Sequence, residues 1–148
     1  MASVELRRIS KSFGSTPVLQ DVGLALEEGE ICVIVGPSGC GKTTMLRIVA
    51  GLERAFDGEV ILNGQVVNKR WSSQRDLSMV FQGDSLFSHL SGFQNMAYPL
   101  RGRRLKREDI RGRIEKIAAL LNVTAILQRR PQAMSGGERQ RIAIGRAL

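Results

Sequence analysis

The sequence has little of what cofactor-bearing, exported or membrane-spanning chains carry. Among 148 residues there are two cysteines, one histidine, one tryptophan and one tyrosine, and aromatic residues make up 5%. Cys32 and Cys40 stand too far apart for a CxxC metal site. The opening MASVELRRIS has no apolar stretch of the kind a secretory leader needs. Without an export signal a disulfide is disfavoured, so both cysteines read as reduced thiols of a cytosolic protein, neither of them catalytic. No run approaches the roughly 20 apolar residues that cross a bilayer. Internal repeats and low-complexity segments are absent as well.

What is present is ordinary in bulk and uneven in charge. With 43% hydrophobic and 24% charged residues, the chain matches a soluble globular domain with a sizeable core. The net charge of +8 is not shared evenly. Residues 1–84 hold 9 Lys/Arg against 10 Asp/Glu, a net of −1, and residues 85–148 hold 13 against 4, a net of +9. A basic half points to an anionic partner such as nucleic acid, or to an acidic remainder that lies elsewhere.

The apolar pattern changes along the chain. Val4, Leu6 and Ile9 alternate roughly as in a strand, and VLQDVGLALEEGE repeats the idea with Glu28-Gly29 as a turn. The β-branched run ICVIV, Ile31–Val35, predicts a strand buried on both faces. KTTMLRIVAG follows as a short helix with Gly51 at its C-cap. Asn63-Gly64 between two apolar runs predicts a hairpin with a type I′ turn, where both central residues need positive φ. LSMVFQ reads as another short strand. Beyond residue 85 the period becomes helical: Ile110, Ile114, Ile117 and Leu121 fall on one face, and residues 92–131 read as mostly helix. The order predicts an α/β core with a small antiparallel sheet and a helical lobe.

Two glycine-rich helix starts carry the chemistry. GPSGCGKTT, Gly36–Thr44, fits G-x-x-x-x-G-K-[ST] between a strand-like run and a helix. Glycines let consecutive backbone N–H groups turn toward phosphate oxygens, and the helix start adds partial positive charge. Lys42 can then reach the β- and γ-phosphates, and the Thr43 hydroxyl can ligate Mg²⁺. A plain strand-to-helix turn is the bland alternative, and the agreement of motif and context outweighs it. The second start is MSGGERQR, where Ser135 and Glu138 have capping-box spacing. Alone it is a capped basic helix. Two glycines nevertheless weaken a helix start, unless something must approach the backbone closely.

Together these motifs resemble those of the ATP-binding subunits of ABC transporters, over the whole length of the chain. Gly36–Thr43 matches the Walker A loop and SGGERQR the signature motif, with 93 residues between Lys42 and Ser135. The resemblance implies an α/β, P-loop NTPase core, incomplete here, with an antiparallel β-subdomain and an α-helical subdomain. The β-subdomain and Walker A part would occupy about 1–84, the helical subdomain about 85–134, and the signature helix 135–148. It implies ATP and Mg²⁺ held by Gly36, Pro37, Ser38, Gly39, Cys40, Gly41, Lys42, Thr43 and Thr44. Phe13 in KSFG matches the aromatic residue that stacks on adenine. Gln82 in VFQGD matches the glutamine that contacts Mg²⁺ and the attacking water, and is the one catalytic candidate. Ser135, Gly136 and Gly137 would act in trans on the nucleotide of a second ATP-binding subunit, in a head-to-tail dimer. Transmembrane permease subunits would be the other partners, with the chain peripheral on the cytoplasmic face of the cell membrane, and the LFSHL region looks importer-like.

Departures from the family pattern are few. Met134 replaces a usual Leu, Glu138 a common Gln, and Pro131 is explained by a turn. His89 precedes the signature and so is not the family's switch histidine; it reads as surface structure. RGRRLKR, Arg101–Arg107, lacks the interleaved aromatics of a nucleic-acid patch and reads as a solvated loop. In the family an aspartate that holds Mg²⁺ and a glutamate beside it follow the signature helix, and no such segment follows here. Asp84 is a poor substitute. The chain is therefore read as an N-terminal piece of such an ATPase, with a non-hydrolysing nucleotide-binding remnant as the alternative. A DNA-maintenance ATPase is a weaker one, because it would need a long coiled coil where only 93 residues lie.

Overall fold

The computed structural model describes residues 3–148 except 55, 82, 84, 85, 103 and 104. The chain divides into two compact units, residues 1–77 and 78–148.

The first unit is built on an antiparallel sheet of four strands, β1 (Val4–Phe13), β2 (Thr16–Leu26), β3 (Asp57–Leu62) and β4 (Gln65–Val66), in the order β2-β1-β3-β4. The imperfect alternation of β1 has a physical cause. Between Leu6 and Ile9 the strand advances three residues while β2 advances two, from Leu24 to Val22. The register with β3 slips in the same place, between Arg7 and Ser10. The extra residue is a bulge, and Arg8 sits there with a left-handed φ of 49°. Leu6 and Ile9 can therefore both enter the core, 2% and 0% exposed. Gly58 on β3, at φ +94°, makes room: a Cβ there would collide with the carbonyls of Arg7 and Arg8. The hairpin between β3 and β4 turns on Asn63 and Gly64 with φ of 51° and 72°, as the Asn-Gly pair predicts.

Helix α1 (Lys42–Val49) packs Met45 and Ile48 into a core with Leu6, Ile9, Leu19, Val60, Leu62 and Val67. It ends as the sequence indicates. Gly51 adopts φ +73°, its N–H donates to Ile48 O, and that of Leu52 to Arg47 O, the paired bonds of a Schellman end. Arg75 completes the cap by donating to the Ile48 and Val49 carbonyls at 2.8 and 2.9 Å. Burial, and secondarily the charge of Arg54, lower the proton affinity of this guanidinium.

Two expected strands do not form. Ile31–Val35 carries no strand pairing, and Ile31, Val33 and Val35 are 92%, 77% and 86% exposed rather than buried. Residues 77–81, the start of LSMVFQ, are likewise irregular. Both runs have the composition of sheet interior. A strand is fixed by its partners, however, and neither run has one among the described residues.

The second unit is helical: α2 (Gly92–Ala97), α3 (Arg107–Leu120) and α4 (Gly136–Ala147). Ile114 and Ala118 of α3 join Met96, Ala97, Val123, Ile126, Leu127, Met134 and Ile142 in its core, with Ile110, Ile117 and Leu121 packed against it. Met134 thus fills an apolar position. Buried Asn95 donates to the Phe87, Leu90 and Ser91 carbonyls and accepts from Phe87 N, which fixes the loop holding exposed His89. Pro131 opens a short 3₁₀ turn. Among the described residues no helix is long and apolar enough to cross a membrane.

Candidate functional site

The loop from Gly36 to Gly41 enters α1 through glycines, of which Gly39 and Gly41 are not cheaply replaced. Gly39 and Gly41 adopt φ of +82° and +95°, and Gly41 is the N-cap of α1. No side chain caps that end, and its first turn carries no acidic residue. The first N–H groups of α1 are thus left for a ligand, at the positive end of the helix dipole. A Cβ on Gly41 would press on the Leu19 side chain and the Val18 carbonyl at 2.8 and 2.9 Å. A Cβ on Gly36 would meet the Cys40 sulfur at 2.8 Å. At Gly41 backbone therefore approaches backbone, and only glycine allows it, whereas Gly36 faces a side-chain atom that can shift.

Lys42 folds back over this loop. Its ammonium donates to the carbonyls of Gly36 and Pro37 at 2.8 and 2.7 Å, with the Cys40 sulfur at 3.5 Å. The loop thus holds a cation at its own mouth, with the exposed Thr43 on the first turn of α1. Pro37, Ser38 and Cys40 are exposed and Thr44 is half-buried. Both cysteines are free thiols. No group of three or more His, Cys, Asp or Glu side chains able to hold a metal occurs among the described residues.

Phe13 ends β1, next to the Gly14-Ser15 turn, and is 49% exposed. Lys11 places its ammonium 4.7 Å from the Phe13 ring centroid and pairs with Glu53 at 3.0 Å. Neither Lys11 nor Glu53 stands out in the sequence. The available signal was a lysine two residues before Phe13 on the same strand. Gln82 lies outside the described residues, as does Asp84.

Ser135, Gly136 and Gly137 belong to the second unit. Ser135 is the N-cap of α4. Its hydroxyl accepts from Glu138 N at 3.3 Å, while the Glu138 carboxylate accepts from Ser135 N at 2.7 Å. The expected capping box is therefore formed. Gly136 and Gly137 stay exposed, and a Cβ on Gly136 would meet nothing within 4 Å. Gly136 is thus not required by packing within the chain.

The Ser135 N–H, foremost, then the Ser135 hydroxyl and the Arg129 and Arg141 guanidiniums, hold the Glu138 carboxyl below the usual carboxylate range. The folded pKa lies below the unfolded one, so the stability it adds is complete above the ordinary value of 4.5 and lost as pH falls through the lower folded value. Glu138→Gln keeps the box but cannot titrate. Thermal unfolding measured from neutral pH into that acid range should show a shallower decline for the variant. Parallel declines in the two proteins would mean that Glu138 adds nothing.

The sequence pattern of the ABC transporter family matches residues 19–148. Curated relatives include the sn-glycerol-3-phosphate import ATP-binding protein UgpC of Bordetella pertussis, 47% identical over 149 residues. The same protein from Rhodopseudomonas palustris is 47% identical over 149 residues, and that from Ruegeria pomeroyi 46% over 148. Each match covers 100% of this chain but only 41–42% of the relative's length. The family's pattern thus runs through both glycine-rich helix starts, and the chain belongs to the ABC transporter family.

Proposed function

We propose that these residues form the nucleotide-binding part of an ATP-driven solute importer. The carrying observation is the cradle: two left-handed glycines, an uncapped helix start and the Lys42 ammonium converge at one loop. That combination fits a polyphosphate. The exposed Thr43 hydroxyl beside it is an oxygen donor of the kind Mg²⁺ takes, an ion commonly held by few protein groups together with substrate phosphates. Thr43 would hold it, with Gln82 as the second protein ligand. When bound, Mg²⁺ would supply neutralisation of phosphate charge. The N–H groups at the start of α1 orient the phosphates, Lys42 balances their charge, and Phe13 offers a face for adenine.

Ser135, Gly136 and Gly137 serve the nucleotide of a second subunit in a head-to-tail dimer. The capping box occupies the Ser135 and Glu138 N–H groups, and exposed Gly136 and Gly137 between them leave backbone that a γ-phosphate can approach. Permease subunits in the membrane are the remaining partners, the chain lies on their cytoplasmic side, and nucleic acid is not one of its ligands. The relatives are named for import of sn-glycerol 3-phosphate, and import is the role carried over here. The activity proposed for these 148 residues is ATP binding, carried by the Gly36–Thr44 loop.

Calorimetric titration of the chain with MgATP tests this. Saturable binding that inorganic tripolyphosphate displaces is expected. Absence of any saturable binding would falsify the reading.

A further inference from the structure

We infer that Lys11 is a positioning residue for the Phe13 ring, presenting it as a platform for a purine base; this rests on the reading of Phe13 as the stacking residue. The Lys11 side chain is 6% exposed, on a strand whose other inward residues are apolar. Burying an ammonium is unfavourable unless the charge is compensated. Two compensations are visible. Glu53 Oε1 lies 3.0 Å from Nζ, and the Phe13 ring centroid lies 4.7 Å away. Glu53 is itself fixed: its carboxylate accepts from Arg54 N at 3.2 Å, and its backbone N–H donates to Arg47 O near the end of α1. The contacts thus run from the end of the phosphate-binding helix through Glu53 and Lys11 to the aromatic ring.

The arrangement has a consequence for stacking. A half-exposed phenylalanine at a hairpin end would ordinarily sample several rotamers. An ammonium held against one face favours one orientation and leaves surface open for a base. The cation also draws on the ring's π-density, which favours an electron-rich purine stacked on the opposite face. Lys11 would therefore act on the base and leave the phosphates to the Gly36–Thr44 loop.

Two probes, MgATP and magnesium tripolyphosphate, separate this role from a merely structural one. For Lys11→Met we expect a loss of roughly three- to tenfold in MgATP affinity and tripolyphosphate affinity within about twofold of the parent. Lys11→Arg, which keeps a cation over the ring, should recover most of the loss. Phe13→Ala, run alongside, should show the same selectivity for the base. Should circular dichroism show Lys11→Met to be unfolded, Glu53→Gln carries the same comparison. Equal losses for both probes would overturn the inference, as would unchanged MgATP affinity beside a selective loss in Phe13→Ala. A Phe13→Ala chain with no selective loss, or a parent chain that binds neither probe, would overturn the stacking reading itself and the role of Lys11 with it.

Discussion

A Lys42→Ala chain should bind MgATP roughly 100-fold more weakly than the parent, with little change in folding stability. The magnitude follows from what the ammonium does. A hydrogen bond from a charged donor is worth about 1.5–3 kcal/mol, and two such bonds to phosphate oxygens give about 3 kcal/mol, or two powers of ten. In the chain alone those donors rest on the Gly36 and Pro37 carbonyls at 2.8 and 2.7 Å. Binding must exchange these contacts for phosphate, so the net loss lies nearer the lower end of that range. Stability should move little, because the carbonyls released lie on exposed residues and can turn to water. Lys42→Arg should not restore affinity, since a planar guanidinium cannot take the place of a compact ammonium in so tight a loop. Calorimetry with MgATP gives the number. Parent-like affinity in Lys42→Ala would remove the lysine from the site.

Gly58→Ala should destabilise the first unit by about 3 kcal/mol or more, far beyond the usual effect of a surface glycine. Two terms add. A left-handed φ of +94° disfavours any Cβ, by about 1–2 kcal/mol. The new methyl group would also strike the carbonyls of Arg7 and Arg8, which belong to the bulge of a central strand and cannot turn away. Gly64→Ala is the control. It too has positive φ, at +72°, but nothing lies within 4 Å of its Cβ, so only the conformational term of about 1 kcal/mol applies. Denaturant unfolding can be followed through Trp71, the chain's single tryptophan, whose ring stacks on Arg54 at 3.4 Å within this unit. Equal losses for the two substitutions would mean that the bulge yields and the clash carries no weight.

Elements fixed by local chemistry were legible in the sequence. The Asn63-Gly64 turn, the Gly51 helix end, the capping box of Ser135 and Glu138, and the periodic face of α3 all depend on residues near one another in the chain. What was not legible depends on distant partners. Ile31–Val35 has the composition of a buried strand, yet composition cannot supply the neighbour that a strand needs, and the run lies exposed. The residues around the cradle divide the same way. The Gly36–Thr44 loop is contiguous and could be read directly. Lys11 meets Glu53 across 42 positions and Arg75 meets Ile48 across 27, and a single sequence carries no sign of either pairing.

The bulge at Arg8 also decides a question of parity. Along a strand, side chains take alternate sides, and one additional residue reverses the assignment of every position after it. Counting by twos from Leu6 without the bulge would put Arg8, Ser10 and Ser12 toward the core, and would send Lys11 and Phe13 to the opposite side. With Arg8 spent on the bulge, the count restarts at Ile9 and delivers buried Lys11 and then Phe13 to the same side. Losing the bulge with every residue kept would therefore do more than straighten the strand: it would change which face of the sheet carries the aromatic ring, although every residue of the phosphate loop remained in place. Deleting Arg8 would remove the bulge and leave Phe13 on its present side.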